Sequence, residues 1–85
     1  MELTLSKQAL DDLEIWLQTD LKTAKKLLKM LKEIAKTPYE GLGKPEALKY
    51  SLSGCWSRRL TDAHRIVYEV GETGIIIHSC MGHYE

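Results

Sequence analysis

The sequence predicts an α+β fold in which two helices are followed by an antiparallel sheet of four to five strands. Apolar residues recur at helical spacing between residues 6 and 36, and they alternate with polar residues at strand spacing after residue 46. Turn-forming Gly, Pro and Asp residues separate these segments. The 85 residues have the length of one small domain, so we expect a single domain over residues 1–85.

The first half of the chain predicts a short strand and the first helix. Residues 2–5 alternate between apolar and polar and predict a strand. Ser6 is a good N-cap, and Leu10, Leu13 and Leu17 follow it at helical spacing. We therefore expect a helix from Ser6 to about residue 18, with this leucine stripe in the core.

A second helix is predicted from residue 21 to residue 36. Asp20 can cap its start, and Thr37-Pro38 ends it because the residue before proline avoids helical angles. An apolar stripe runs along one face of this segment, and six lysines lie on the opposite face. These lysines fit an ordinary solvated face, and they also fit a contact with a nucleic acid.

The second half of the chain predicts four strands after a loop at residues 39–45. The strands are expected at residues 47–52, 55–61, 64–70 and 74–81, in an element order β-α-α-β-β-β-β. Alternation places Leu48, Tyr50 and Leu52 on one face. It also keeps Arg59 and Arg65 off the apolar face formed by Ile66, Tyr68 and Val70. The run of three isoleucines at residues 75–77 predicts a central strand buried on both faces.

Composition and charge exclude several classes of protein. Hydrophobic residues make up 44% and charged residues 28%, which is typical of a globular protein and not of a disordered one. The formal net charge is +0, yet residues 21–65 carry eleven basic side chains against four acidic ones, as a polyanion-binding protein would. We see no signal peptide and no membrane span, and we expect a cytoplasmic protein.

The cysteines and histidines have no zinc-ligand spacing, so the sequence predicts no metal site and no cofactor. Cys55 and Cys80 are expected to be reduced thiols, with a disulfide as the alternative. The remaining polar residues at predicted strand ends could cleave RNA by acid–base chemistry, because they include a carboxylate, a histidine and several cations. The same residue types also fit an ordinary charged surface. These residues are Glu46, Lys49, Arg58, Arg59, Arg65, His83 and Tyr84.

Several segments carry a resemblance to a known family. They are residues 37–49, residues 52–60, residues 64–68, the ending His83-Tyr84, and the early Asp11-Asp12 and Trp16. Together they resemble the YoeB toxins of the RelE superfamily. The resemblance implies a RelE-like fold and a bacterial type II toxin that cuts mRNA in the ribosomal A site. It also implies a YefM-like antitoxin, the 70S ribosome and mRNA as partners, a homodimer, and binding of operator DNA together with the antitoxin.

The resemblance also implies a role for each matching residue. Glu46 matches the general base, Arg65 the residue that holds the scissile phosphate, and His83 the general acid. Tyr84 matches the tyrosine that positions the substrate. Lys49 and Arg59 match cations near the RNA path.

Each of these residues also has an ordinary interpretation. Glu46 would be a solvated loop carboxylate, and Arg65 would pair with Asp62 or Glu69. His83 and Tyr84 would be residues of the chain end, and Lys49 and Arg59 would be surface charges.

The C-terminal end departs from the family pattern. Met81 and Gly82 stand where the family usually has an arginine and an aromatic residue, and Glu85 follows the tyrosine. This departure keeps two rivals open. One is an antitoxin-binding module and DNA co-repressor with weak or lost nuclease activity. The other is a protein that blocks the A site without cutting.

Overall fold

The computed structural model describes residues 1–82. Within this range the elements follow the predicted order, with a 3₁₀ turn added between two strands. They are β1 (Glu2–Leu5), α1 (Lys7–Thr19), α2 (Leu21–Lys36), β2 (Glu46–Ala47), the 3₁₀ turn (Tyr50–Leu52), β3 (Cys55–Arg59), β4 (Arg65–Val70) and β5 (Gly74–Ser79).

The five strands form one sheet in the order β1-β5-β4-β3-β2. Strands β2 to β5 pair antiparallel with their chain neighbours, as the sequence predicts. Strand β1 pairs with β5 in parallel, with Leu3 opposite Ile75 and Leu5 opposite Ile77. The sheet is therefore mixed rather than wholly antiparallel. The chain enters β2 antiparallel to β1, and the three reversals from β2 to β5 leave β5 parallel to β1.

Helix α1 begins at its predicted cap, where the Ser6 hydroxyl accepts a hydrogen bond from the Ala9 backbone N–H at 3.0 Å. The prediction that the leucine stripe of this helix lies in the core is wrong in part. Leu10 and Leu17 remain 57% and 49% exposed, and the buried residues are Ala9, Asp12 and Trp16. Helix α1 turns the face with Ala9, Asp12 and Trp16 towards the sheet. It does so because the side chains of Asp12 and Trp16 hydrogen-bond the backbone of Cys80, just after β5.

Helix α2 contributes most of the helical side of the core. Asp20 caps it as predicted, because its carboxylate accepts from the Thr23 backbone N–H at 3.1 Å. Leu21 and Leu28, which lie at the edges of the apolar stripe, stay exposed. The buried apolar residues of α2 belong to one core cluster with residues of β4 and β5; they are Ala24, Leu27, Met30, Leu31 and Ile34.

The strand predicted at residues 47–52 is present, but its bounds are wrong, because β2 covers only Glu46–Ala47. Pairing with β3 ends soon after Ala47, with a last backbone hydrogen bond from Leu48 N–H to the Cys55 carbonyl. The chain then turns because Tyr50 adopts φ 57°, which no strand residue can have. Tyr50 is 92% exposed while Leu48 is buried, so these residues do not share a face with Leu52.

Strand β5 lies inside the sheet, but only one of its faces is covered. Ile75 and Ile77 point into the core, whereas Ile76 is 42% exposed. The helices cover one face of the sheet, and we call the opposite side the open face. It contains Arg65, which alternates with the buried Ile66, and Arg59, which lies opposite Arg65; both point away from the core as predicted.

Both cysteines are free thiols, as the first of the two sequence interpretations expects. Cys80 is buried, and this burial raises the pKa of its thiol to about 12. Neither helix within residues 1–82 has the length and apolar character needed to cross a membrane.

Candidate active site

Glu46 and Arg65 come together on the open face of the sheet. A guanidinium nitrogen of Arg65 lies 3.5 Å from a carboxylate oxygen of Glu46. The side chain of Arg65 is 20% exposed and that of Glu46 is 51% exposed, so a ligand can reach both. These are the base and the phosphate-binding cation that the resemblance implies, and they are 19 residues apart in sequence.

Arg59 lies next to Arg65 on the neighbouring strand, and Lys49 follows Glu46 three residues along the chain. Arg59 lies directly opposite Arg65 in the β3–β4 pairing and is exposed, so two cations stand side by side at this end of the sheet. Lys49 is exposed at the start of the 3₁₀ turn.

The loop that leads into Glu46 is held by Arg58, which is fully buried on the helix side of β3. Its guanidinium pairs with Glu33 of α2 at 2.5 Å and donates to three loop carbonyls. The hydrogen bond from the Leu42 backbone N–H, together with Arg58, lowers the pKa of the Glu33 carboxyl below its usual range. Arg58 therefore fixes the loop rather than contacting a substrate. The three carbonyls belong to Thr37, Glu40 and Leu42.

Two glycines allow the same loop to pass close to its anchors. Gly43 has φ +84°, and its carbonyl accepts from the Arg59 backbone N–H at 2.7 Å. A Cβ atom at Gly43 would lie 2.6 Å from the Arg59 carbonyl oxygen. At Gly41, which has φ +129°, a Cβ would collide with the carboxylate of Glu33. The spacing of glycines in this loop is thus set by packing against β3 and α2.

The segment after β5 is tied down beside Arg65. The Asp12 carboxylate accepts from the Cys80 backbone N–H at 2.9 Å, and the Trp16 indole donates to the Cys80 carbonyl at 3.0 Å. Gly82 donates its N–H to His64 Nδ1 at 2.8 Å and accepts from the Arg65 backbone N–H at 3.0 Å. The chain is therefore fixed next to Arg65 up to the last described residue.

His83 and Tyr84, the expected general acid and substrate-positioning tyrosine, lie outside the described residues. Their assigned roles stay predictions. The neighbouring Gly82 is held against Arg65 by the hydrogen bonds given above.

Sequence reasoning missed Ser57, which lies on the open face directly opposite Glu46 in the β2–β3 pairing. Ser57 is fully buried, and its hydroxyl has no hydrogen-bond partner among residues 1–82. Such an unsatisfied hydroxyl usually costs about 1–3 kcal/mol. The sequence signal for Ser57 was the alternation of β3, which places it on the same face as Cys55 and Arg59.

Comparisons with known proteins agree with this fold. Residues 5–84 match the family described as YoeB-like toxin of bacterial type II toxin-antitoxin system. Toxin YoeB of Escherichia coli is 45% identical over 84 residues, which cover 99% of this chain and 100% of that protein.

Solved structures give the same result. A YoeB/ParE toxin from Agrobacterium tumefaciens superposes with a TM-score of 0.94 at 38% identity, covering 99% of this chain and 100% of that one. The YoeB of Staphylococcus aureus, solved as a dimer and in a heterotetrameric complex with YefM, superposes with TM-scores of 0.89 and 0.87. It is 44% identical over 99% of this chain and 98% of that one. This chain therefore belongs to the YoeB family of toxins of bacterial type II toxin–antitoxin systems.

Proposed function

We propose that this toxin is an mRNA endoribonuclease that acts on ribosome-bound mRNA by acid–base catalysis. The observation that carries the proposal is the approach of Glu46 to Arg65 on the exposed, open face of the sheet. A base and a phosphate-binding cation are the two groups that must meet at the scissile bond. Family membership supports the same conclusion for these residues.

The proposed reaction begins when Glu46 takes the proton from a ribose 2′-hydroxyl. The 2′-oxygen attacks the adjacent phosphorus, and the bond from phosphorus to the 5′-oxygen breaks. His83 gives a proton to the departing 5′-oxygen, which leaves a 2′,3′-cyclic phosphate and a 5′-hydroxyl. Arg65 and Arg59 stabilise the negative charge on the phosphoryl oxygens while the phosphorus is five-coordinate.

The distance between Glu46 and Arg65 suits this chemistry. The base must lie within hydrogen-bond reach of the 2′-hydroxyl while the cation holds the adjacent phosphate, so the two groups must be neighbours. The ion pair of Glu46 and Arg65 shows that they are neighbours and can reach one phosphodiester linkage. An incoming phosphate would replace Glu46 as the partner of the Arg65 guanidinium and free the carboxylate to accept the proton.

Dependence on the ribosome fits the shape of the site. Glu46 and Arg59 are exposed on a sheet face that neither α1 nor α2 covers, so residues 1–82 enclose little of an RNA strand. A ribosomal A site that orients the mRNA would supply the missing positioning, which can contribute several kcal/mol to catalysis. The exposed lysines of α2 lie on the other side of the sheet, and contact with ribosomal RNA stays a prediction for them.

We also infer a YefM-like antitoxin and a homodimer as partners. The S. aureus YoeB structures, one of a dimer and one of a complex with YefM, support both assemblies. Leu10 and Leu17 on α1 leave apolar surface exposed, which protein partners commonly cover. Operator DNA would bind only together with the antitoxin, and the chain is proposed to act as a single domain in the bacterial cytoplasm.

Primer extension on ribosome-bound mRNA in a translation extract tests the proposed function. New 5′ ends within the A-site codon are expected from a nuclease, and free mRNA should be cut far more slowly. Ribosome stalling without new ends would instead indicate a protein that blocks the A site. Neither stalling nor cleavage would indicate an antitoxin-binding module, and either of these two results would overturn the proposal.

A further inference from the structure

Three potential metal ligands meet on the open face of the sheet, away from Glu46. They are Cys55 of β3, Glu69 of β4 and His78 of β5, and their ligand atoms all lie within 4.8 Å of one another. His78 Nε2 is 2.9 Å from a Glu69 carboxylate oxygen. Cys55 and His78 are half-buried and Glu69 is exposed, so an ion can enter from solvent.

Strand pairing and one irregularity bring the three residues together. Cys55 and Glu69 are directly opposite each other in the β3–β4 pairing. On β5 the register shifts, because Tyr68 pairs with Ile77 while Val67 pairs with Ser79. His78 is the extra residue of this bulge, and bulges commonly re-aim a side chain beside a site.

We propose that Cys55, Glu69 and His78 form a binding site for Zn²⁺ or a cation of the same class. A thiolate, an imidazole and a carboxylate are the donors that Zn²⁺ prefers, in tetrahedral geometry. With metal–ligand bonds of about 2.0–2.3 Å, tetrahedral ligands lie about 3.3–3.6 Å apart, so the existing cluster needs side-chain shifts of about 1 Å.

The geometry leaves a fourth coordination position open. A cavity of about 540 Å³ adjoins the cluster, and residues 51–53 contribute to its lining. Water or a small exogenous donor can occupy that position, as in zinc sites with three protein ligands. Glu69 is four residues from Arg65 on β4, a separation of about 13 Å, so this site is distinct from the candidate active site.

Occupancy would connect three neighbouring strands through one ion. Because β3, β4 and β5 separate on unfolding, the ion would bind the native state more tightly than the unfolded chain and raise the melting temperature. The closest ordinary explanation of the cluster is a His78–Glu69 ion pair with a neighbouring thiol, which would bind no metal stoichiometrically.

The test uses the full, untagged chain after metal removal with a chelator. Calorimetric titration with Zn²⁺ should show one ion per chain, and Co²⁺ should give a thiolate-to-metal charge-transfer band with the visible bands of tetrahedral cobalt. Zn²⁺ should also raise the melting temperature. Cys55→Ser should abolish the charge-transfer band although Cys80 remains present.

Two further variants make the assignment specific. His78→Gln should weaken Zn²⁺ binding by more than about tenfold, since even residues that only support metal ligands contribute 10- to 100-fold. His83→Gln should bind Zn²⁺ as the wild type does, because the three ligands proposed are Cys55, Glu69 and His78. Absence of stoichiometric binding, a charge-transfer band that survives in Cys55→Ser, or loss of binding in His83→Gln would each overturn the proposal.

Discussion

The carboxylate of Asp12 in α1 accepts a hydrogen bond from the backbone N–H of Cys80, at a distance of 2.9 Å. Asp12 is only 2% exposed, and Gln8 donates a second hydrogen bond to its other oxygen. This contact joins the first helix to the segment that leads from β5 to the C-terminal end. An acidic residue is thus buried in the core because it holds the backbone next to the candidate active site.

Asp12→Ala should destabilise the fold by about 1–3 kcal/mol, because it leaves the buried N–H of Cys80 without an acceptor. Urea unfolding provides the measurement. Asp11→Ala is the matched control, since Asp11 forms only an exposed ion pair with Lys7 and should change stability by less than about 0.5 kcal/mol. Equal stability of the two variants would show that the Asp12–Cys80 contact contributes nothing.

Arg58 and Arg59 are neighbours with opposite expected effects. Arg58→Ala should cost about 3–5 kcal/mol, because it leaves Glu33 and three loop carbonyls without their buried partner. Arg59→Ala should leave stability nearly unchanged and lower cleavage by about tenfold, equivalent to 1.4 kcal/mol of transition-state stabilisation. Unfolding curves and cleavage rates of both variants check this, and reversed effects would refute the assignment of the two residues.

Gly43→Ala tests the close passage of the loop over β3. The new Cβ would approach the Arg59 carbonyl oxygen in addition to adopting positive φ, so the loss of stability should exceed the cost of the backbone conformation. Gly54→Ala is the control, because Gly54 has φ +96° and no atom within 4 Å of its Cβ position. We expect Gly43→Ala to unfold at lower urea concentration than Gly54→Ala, and the opposite order would contradict the packing argument.

The Glu33 carboxyl gives the fold a specific acid sensitivity. Its pKa is lowered by the Leu42 N–H and by Arg58, so below the ordinary value of 4.5 the native state binds fewer protons than the unfolded chain. This contribution to stability is present above that value and is lost as the pH falls through the lowered pKa. Glu33→Gln should therefore lose less stability on acidification than the wild type. Glu40→Gln is the control and should lose stability on acidification as the wild type does. If Glu33→Gln lost as much stability as the wild type, the Glu33 carboxyl would not be the source of the acid sensitivity.

The sequence predicted element order, both helix caps and the separation of Arg65 from the core, because these depend on local patterns. It did not predict the turn at Tyr50, since a positive φ at a non-glycine residue leaves no mark on an alternating pattern. The sequence also did not predict that Leu10 is exposed. Which of two adjacent apolar stripes faces the sheet was decided by hydrogen bonds from Asp12 and Trp16 to a distant strand end.

The candidate site was predicted only in part. The resemblance supplied Glu46 and Arg65, and the structure brings them together on the open face. The cluster of Cys55, Glu69 and His78 was missed because zinc motifs are recognised by short spacings within one segment. Here the ligand atoms come from three strands, and cross-strand pairing plus a bulge creates the proximity.

Single-turnover cleavage of ribosome-bound mRNA by Glu46→Gln tests the central claim most directly. The variant keeps the shape of the side chain and loses the carboxylate base, so the rate should fall by about 100-fold or more while ribosome binding is retained. Glu40→Gln, in the same loop, should cleave at the wild-type rate. Cleavage by Glu46→Gln at the wild-type rate would contradict the account, because the carboxylate beside Arg65 would then have no part in the reaction.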